Sequence, residues 1–318
     1  MKFSAKIIFL FSLLLAAFQT FAAEAKLPLI VAAEQLSTRF LILDPNEDPL
    51  SKAAIKWAWD PRQSPKIALD HYYFYGNPSE VKLIDNGKKL LFSCSGGACG
   101  IIDIASGDLL THVYPMGNPH SIEILPDGNL VTASSTGRRI TLFDLKSDPS
   151  GKKFKRYTFR SAHGVVFDKK TQHLFGCGSY GLAEWKYDPE KVELILVKEH
   201  VFGRNKDNKG TFGGHDLYFD PVDGMLTLTG SAELCKVNSV TGERKVLSNI
   251  PHIKSASFIA DVPTLLLVPN ESWWNDTLTI LDKNGKASAL RRYPHFRFYK
   301  VRWIPREFDV LKIIESKK

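Results

Sequence analysis

The chain has 318 residues, of which 44% are hydrophobic and 24% charged, with a formal charge of +8. This is the balance of an ordinary globular protein with no low-complexity tract. Its basic residues are scattered, and no run combines them with stacking aromatics, so nucleic acid is not an expected partner. An anionic small molecule or polysaccharide suits the charge.

Residues 1–22 read as a secretory signal peptide. Lys2 and Lys6 form a positive n-region, Ile7 to Phe18 an apolar run, and Ala22, Ala23 and Ala25 offer small residues for cleavage. The run is too short for a spanning helix, so no membrane span is expected after its removal. No cysteine stands at the cleavage site to accept a lipid. The expected product is one soluble domain, residues 23–318, periplasmic or secreted. In such an oxidising compartment the four cysteines invite a disulfide reading. Cys94 and Cys99 flank a Ser-Gly-Gly-Ala turn and are candidates for a local bridge, the alternative being two small residues closing a tight hairpin. Cys177 and Cys235 fall in different repeats and are expected to be free.

Three strands come first, Leu29–Glu34, Arg39–Asp44 and Ala54–Trp59. A unit then repeats every 40–50 residues, roughly the length of a four-stranded propeller blade. Its clearest copy starts at Asn118-Pro-His-Ser-Ile-Glu, turns at Pro126-Asp-Gly, and runs through a second and a third strand to Asp144. A fourth strand lies near Lys155–Phe159. The opening residues of the aligned copies are Ser79, His120, His163, His215, Lys254 and Tyr299. Two places later all are apolar (Val81, Ile122, Val165, Leu217, Ala256, Val301), and so are those four places later (Leu83, Ile124, Phe167, Phe219, Phe258, Trp303). The last opening strand, Phe298–Ile304, has no followers, while the first three strands have no opener. The N-terminal strands therefore close a ring with the C-terminal one, which predicts an all-β, six-bladed β-propeller.

Equivalent residues on the innermost strands form a ring at one height of the central channel. The structural histidine of WD-type repeats lies further upstream of its turn than His120 or His215 do here, so it does not account for them. Three imidazoles on adjacent blades, His120, His163 and His215, with an open fourth position suit a divalent metal, zinc or manganese. Across the ring Lys254, Tyr299 and Ser79 are candidates to bind an anion or move a proton. Arg302, three residues beyond Tyr299 on the same strand, is a further ligand-binding candidate, ranked below these because its spacing can turn it to the opposite face. Glu80 and Asp216 are candidates to orient imidazoles, although alternation is read as aiming them away from the channel. Trp273 and Trp274 interrupt the fifth repeat and suit either carbohydrate stacking or a plug between blades. The Gly203–Phe212 connection, with Arg204, Lys206 and Lys209, is read as a lid or a solvated loop. His71, His112, His173, His200 and His295 fall off the register.

The phrases Gly76-Asn-Pro-Ser-Glu80, Pro119-His-Ser-Ile-Glu123, Ala162-His-Gly-Val-Val166, Gly214-His-Asp-Leu217, Lys254-Ser255, Trp273-Trp274 and Tyr299-Lys-Val-Arg-Trp303 resemble an uncharacterised bacterial family of exported six-bladed propellers. The resemblance spans nearly all of the mature chain. It implies the fold and export and no particular activity. The channel histidines are more distantly similar to the metal sites of propeller lyases, such as the peptide-amidating and polysaccharide lyases. That is a likeness of sites and carries no assignment alone.

Two functions follow as expectations. One is a metal-dependent lyase acting on an anionic saccharide or related metabolite, with the histidines on the metal and Tyr299 or Lys254 as acid or base. The other is a non-catalytic ligand-binding or protein-interaction propeller. The ring lacks the carboxylate pair of an ordinary glycosidase. The chain lacks a Gly-x-Ser-x-Gly elbow.

Overall fold

A computed structural model describes residues 26–203, 212–270 and 272–316. Residues 1–22, read above as a signal peptide, with Lys2 and Lys6, and the basic positions Arg204, Lys206 and Lys209 lie outside the described residues. The rest forms six four-stranded antiparallel sheets.

The first blade joins β1 (Ile30–Glu34), β2 (Arg39–Leu43) and β3 (Ile55–Trp59) to the last strand of the chain, β24 (Phe298–Trp303). The second holds β4 (Pro78–Ile84), β5 (Lys89–Cys94), β6 (Cys99–Asp103) and β7 (Leu109–Val113). The third runs β8 (Pro119–Ile124), β9 (Leu130–Ser134), β10 (Arg139–Phe143) and β11 (Phe154–Thr158). The fourth is β12 (Gly164–Asp168), β13 (His173–Gly178), β14 (Gly181–Asp188) and β15 (Glu193–Val201). The fifth contains β16 (Asp216–Phe219), β17 (Leu226–Thr229), β18 (Leu234–Val237) and β19 (Arg244–Ser248). The sixth contains β20 (Ser255–Ser257), β21 (Thr264–Leu267), β22 (Thr277–Leu281) and β23 (Ala287–Arg292). The ring closes as the repeat predicts. β24 pairs with β1, Ile30 opposite Trp303, and Ile304 N donates to Leu29 O at 2.8 Å.

The apolar residues two places into each opening strand do what their recurrence predicts. Val81, Ile122, Val165, Leu217, Ala256 and Val301 are all fully buried, each in a separate hydrophobic cluster. At the far end of each blade the third strand runs into an Asx turn. Asp44, Asp103, Asp144, Asp188, Asn238 and Asp282 each accept a backbone N–H two or three residues on, at 2.8–3.2 Å. A short polar side chain that bonds its own backbone is what such turns require.

Of the two readings of Cys94 and Cys99 the hairpin holds and the bridge does not, and all four cysteines are free. Strand alternation is the reason. Cys99 stands opposite Ser93, so Cys94, one residue on, points through the other face of the sheet. Cys94 packs with Val81 and Phe92, whereas Cys99 packs with Leu91 and Ile122.

Candidate functional site

Strict alternation would turn an opening residue the same way as the apolar residue two places on, into the space between blades. The backbone breaks that rule where the ring residues sit. Pairing on β4 skips Ser79, on β8 it skips His120, and on β24 it skips Tyr299, so each of the three is the extra residue of a β-bulge. His163, His215 and Lys254 stand one residue ahead of their strands, anchored only by their own N–H to Cys177 O, Thr229 O and Leu267 O. A bulge or a strand entry re-aims a side chain without disturbing the ladder beyond it.

Five of the six predicted ring residues thereby meet at one mouth of the channel. The His120 ring stacks on His163, centroids 4.5 Å apart and planes at 8°, and on Tyr299 at 5.4 Å. His163 meets His215 edge-on at 5.5 Å. Lys254 Nζ lies 3.3 Å from His215 Nδ1 and 3.4 Å from Nε2. His252, which sequence reasoning passed over, brings a further imidazole to 6.1 Å from His215. Its only sequence signal was its place two residues before Lys254.

Ser79 does not join this group. It is fully buried, donates to Pro119 O at 2.7 Å and meets Ser93 Oγ at 3.0 Å, tying blades two and three together.

Below the mouth the channel is filled by the residues one and three places into the opening strands. Arg302 bonds Glu80 Oε1 at 2.7 Å and Asp216 at 2.8 and 3.0 Å, with its guanidinium 4.0 Å over the Tyr218 ring. Lys300 Nζ lies 3.1 Å from Glu80 and 2.9 Å from Asp216, and donates to His120 O. Lys82 reaches Glu123 at 3.1 Å and Val165 O at 2.6 Å. Several of these contacts join opening strands of blades that are not neighbours, so the side chains cross the channel itself.

This corrects two expectations. Glu80 and Asp216 face into the channel, and they neutralise cations there instead of orienting imidazoles. Arg302 is also inside, and being spent on two carboxylates it has no hydrogen-bonding edge left for a ligand. Burial raises the pKa of Asp216, but Arg302 and Lys300 more than offset it and hold the carboxyl below its usual range.

The mouth is different in kind. Burial and the neighbouring Lys300 and Lys254 lower the pKa of every ring imidazole, that of His163 to about 4 even though its bond to Ser161 O opposes the shift. His215 falls to about 2, through burial and then Lys254. His120 falls well below its ordinary value through burial and then His163. Lys254 drops to about 8 through burial and then Lys300, and among the described residues it has no carboxylate partner. Burial, then Asp216 and Glu80, raises the pKa of Tyr299. The site thus presents neutral imidazoles, a neutral phenol and one uncompensated ammonium.

Stability should follow. Between pH 6.5 and about 4 the unfolded chain protonates histidines that the folded chain keeps neutral. The unfolded state binds more protons in that window, so stability falls as pH drops, by up to about 1.4 kcal/mol per pH unit for each histidine. Urea unfolding of the wild type and of a His120/His163/His215→Gln variant across that range should show a steep dependence in the first and a shallow one in the second.

The imidazoles do not converge on a common point. In-plane lone pairs of two parallel stacked rings run side by side, and no group of three or more His, Cys, Asp or Glu among the described residues is arranged to hold a metal ion. His163 Nδ1 donates to Ser161 O at 2.8 Å, which leaves Nε2 unprotonated, and His120 Nδ1 is buried without a partner.

Trp273 and Trp274 stand on the rim at this same end, in the connection between β21 and β22. Trp273 is exposed, its Nε1 donating to Gln35 Oε1 at 3.0 Å. Trp274 is covered by the Arg297 guanidinium, 4.7 Å over its ring. No helix of the described residues is long and apolar enough to cross a membrane.

Among solved structures the chain is similar to one in the crystal structure of a nidogen/laminin complex, with 14% identity over 86% of this chain and 97% of that one and a TM-score of 0.58. It is also similar to the β-propeller domain of Myceliophteria thermophila Cps50 (Swd1), with 13% identity over 86% and 81% and a TM-score of 0.51. At these identities the likeness shows the fold alone. A streptogramin B lyase, with 11% identity over 69% of each chain and a TM-score of 0.46, is too distant to support any reading of activity. No curated protein matches. The model of a family of unknown function (DUF6528) matches residues 23–309, and the chain belongs to that family.

Proposed function

We propose that the mouth binds a small anion, a carboxylate-bearing saccharide or related metabolite, and that Lys254 receives its charge. The observation that carries this reading is the lone ammonium of Lys254, 9% exposed and held among neutral rings above a channel whose other buried cations are matched by carboxylates. An incoming carboxylate would supply the missing counter-charge in a desolvated place, where a charge-assisted hydrogen bond is strong. The same groups suit proton transfer. With Lys254 held as an ammonium on the carboxylate, a neutral buried imidazole such as His163 is placed to take the proton beside it and Tyr299 to return one to the leaving group, which is elimination chemistry of the lyase type.

Calorimetric titration with galacturonic acid at pH 7 tests the binding. Lys254→Met should weaken it by about tenfold or more, and Lys254→Arg should keep most of it. Saturable binding that is indifferent to Lys254, or no binding at all, would sink the proposal. Appearance of an unsaturated product, followed by ultraviolet absorbance, decides whether the site is catalytic or only binds.

A second reading is favoured by the free Nε2 of His163 and the unpartnered Nδ1 of His120: zinc or manganese on His120, His163 and His215. It requires the two stacked rings to turn out of parallel. Elemental analysis of untagged protein beside the triple-alanine variant decides it, since one equivalent of metal lost with the histidines is the only supporting result. Export to the periplasm or medium is part of the proposal and rests on Lys2, Lys6 and the Ile7 to Phe18 run. N-terminal sequencing of the protein from the extracytoplasmic fraction should begin near Ala23.

A further inference from the structure

The rim of this mouth carries exposed aromatic surface on an unusually firm base. The connection from β3 to β4 crosses the mouth face and includes the 3-10 segment Leu69–Tyr75. Tyr75 is fully buried, its hydroxyl 2.9 Å from His112 Nδ1. Phe74 packs 5.0 Å from Tyr114, and Phe74 O accepts from Ala98 N at 2.9 Å. Gly96 makes this seat possible, because a Cβ there would stand 2.4 Å from Tyr73 O. On top of this base Tyr73 is 66% exposed, its ring 3.9 Å from that of Phe74.

At the same end, in the β21–β22 connection of blade six, Trp273 is 55% exposed, and Gln35 holds it in place. The other end of the same glutamine donates to Pro78 O at 3.1 Å, three residues after Tyr75. Through this one buried side chain the Trp273 connection is tied to the entry of β4, and the two connections form an arc of rim at the mouth end of blades six, one and two. Rings already fixed by their supports lose little freedom on binding, and a flat apolar face with polar surroundings is what the faces of sugars stack on. Asp70 and Asn77, both exposed on the β3–β4 connection, make its surface mixed and argue against a continuous apolar partner.

We propose that this arc holds the sugars that flank the one seated in the mouth, so that the preferred ligand is an anionic oligosaccharide and not its monomer. The inference rests on the mouth being an anion site. Calorimetric titration compares galacturonic acid, its linear tetramer and neutral cellotetraose. The charged tetramer should bind about tenfold more tightly than the monomer and than cellotetraose. Tyr73→Ala and Trp273→Ala should each remove a several-fold part of that gain and leave monomer affinity unchanged. Equal affinity for monomer and tetramer, cellotetraose bound as well as the charged tetramer, or variants that weaken monomer and tetramer alike, would overturn the arc. Wild-type protein that binds no galacturonic acid overturns the mouth reading itself, which separates the two failures.

Discussion

Arg302→Met is expected to lower the unfolding free energy by about 3–5 kcal/mol, because it strands buried charge. Glu80 and Asp216 are both fully buried, and without the guanidinium only Lys300 is left to balance them. Met fills similar space but offers no donor to Val81 O, which Arg302 Nε now meets at 2.9 Å. For a domain of this size the melting temperature should fall by on the order of 10 °C. Calorimetry of the variant checks this. Adding Asp216→Asn should recover part of the loss, since it removes one of the stranded charges, and a double-mutant cycle measures how much. A loss within about 0.5 kcal/mol would mean that the channel admits water and the network is not dry.

The second large effect concerns closure. A chain ending at residue 297 keeps five complete sheets and the first blade's other three strands, yet it should show no cooperative unfolding transition by calorimetry. Three losses coincide. β1 becomes an unpaired inner edge, the buried Phe298, Val301 and Trp303 leave the cluster that holds Ile30, Leu41 and Leu265, and the channel loses both Lys300 and Arg302. Supplying residues 298–318 as a separate peptide should restore little, because a tethered strand has an effective concentration in the millimolar range that a free peptide does not reach. A truncated chain that melted cooperatively near the wild-type temperature would show that closure adds little.

The blades were legible because the signal was redundant. Six copies agreed on two apolar positions, and a one-residue slip would have spoiled them all. The mouth was legible as a set of residues, and five of its six members meet there. What could not be read was which way they point. The apolar agreement at the second and fourth places sends the first residue toward the neighbouring blade, and only a bulge or strand entry, invisible in the pattern, returns it to the channel. The same alternation carried a signal that was there to be read. The places in between hold Glu80, Lys82, Glu123, Asp216, Lys300 and Arg302, and six charges in phase with buried apolar residues spell an internal network. Ser79 differs because a short hydroxyl beside a free carbonyl bonds it before it can reach the ring. Whether Cys94 and Cys99 bridge stays open in the sequence because proximity along the chain ignores which face of the sheet each thiol takes.

The closing strand has a consequence for the order in which the molecule acquires its properties. β24 completes the first sheet and also delivers Tyr299, Lys300 and Arg302. During synthesis β1 must wait for the last of the described strands, so this pairing is the most non-local in the fold. Until then its inner edge is open to any stray strand, and Glu80 and Asp216 lack the two cations they pair with. A translation product cut short before β24 therefore lacks Tyr299 at the mouth and both cations paired with the buried carboxylates, so the integrity of the chain is written into the channel itself.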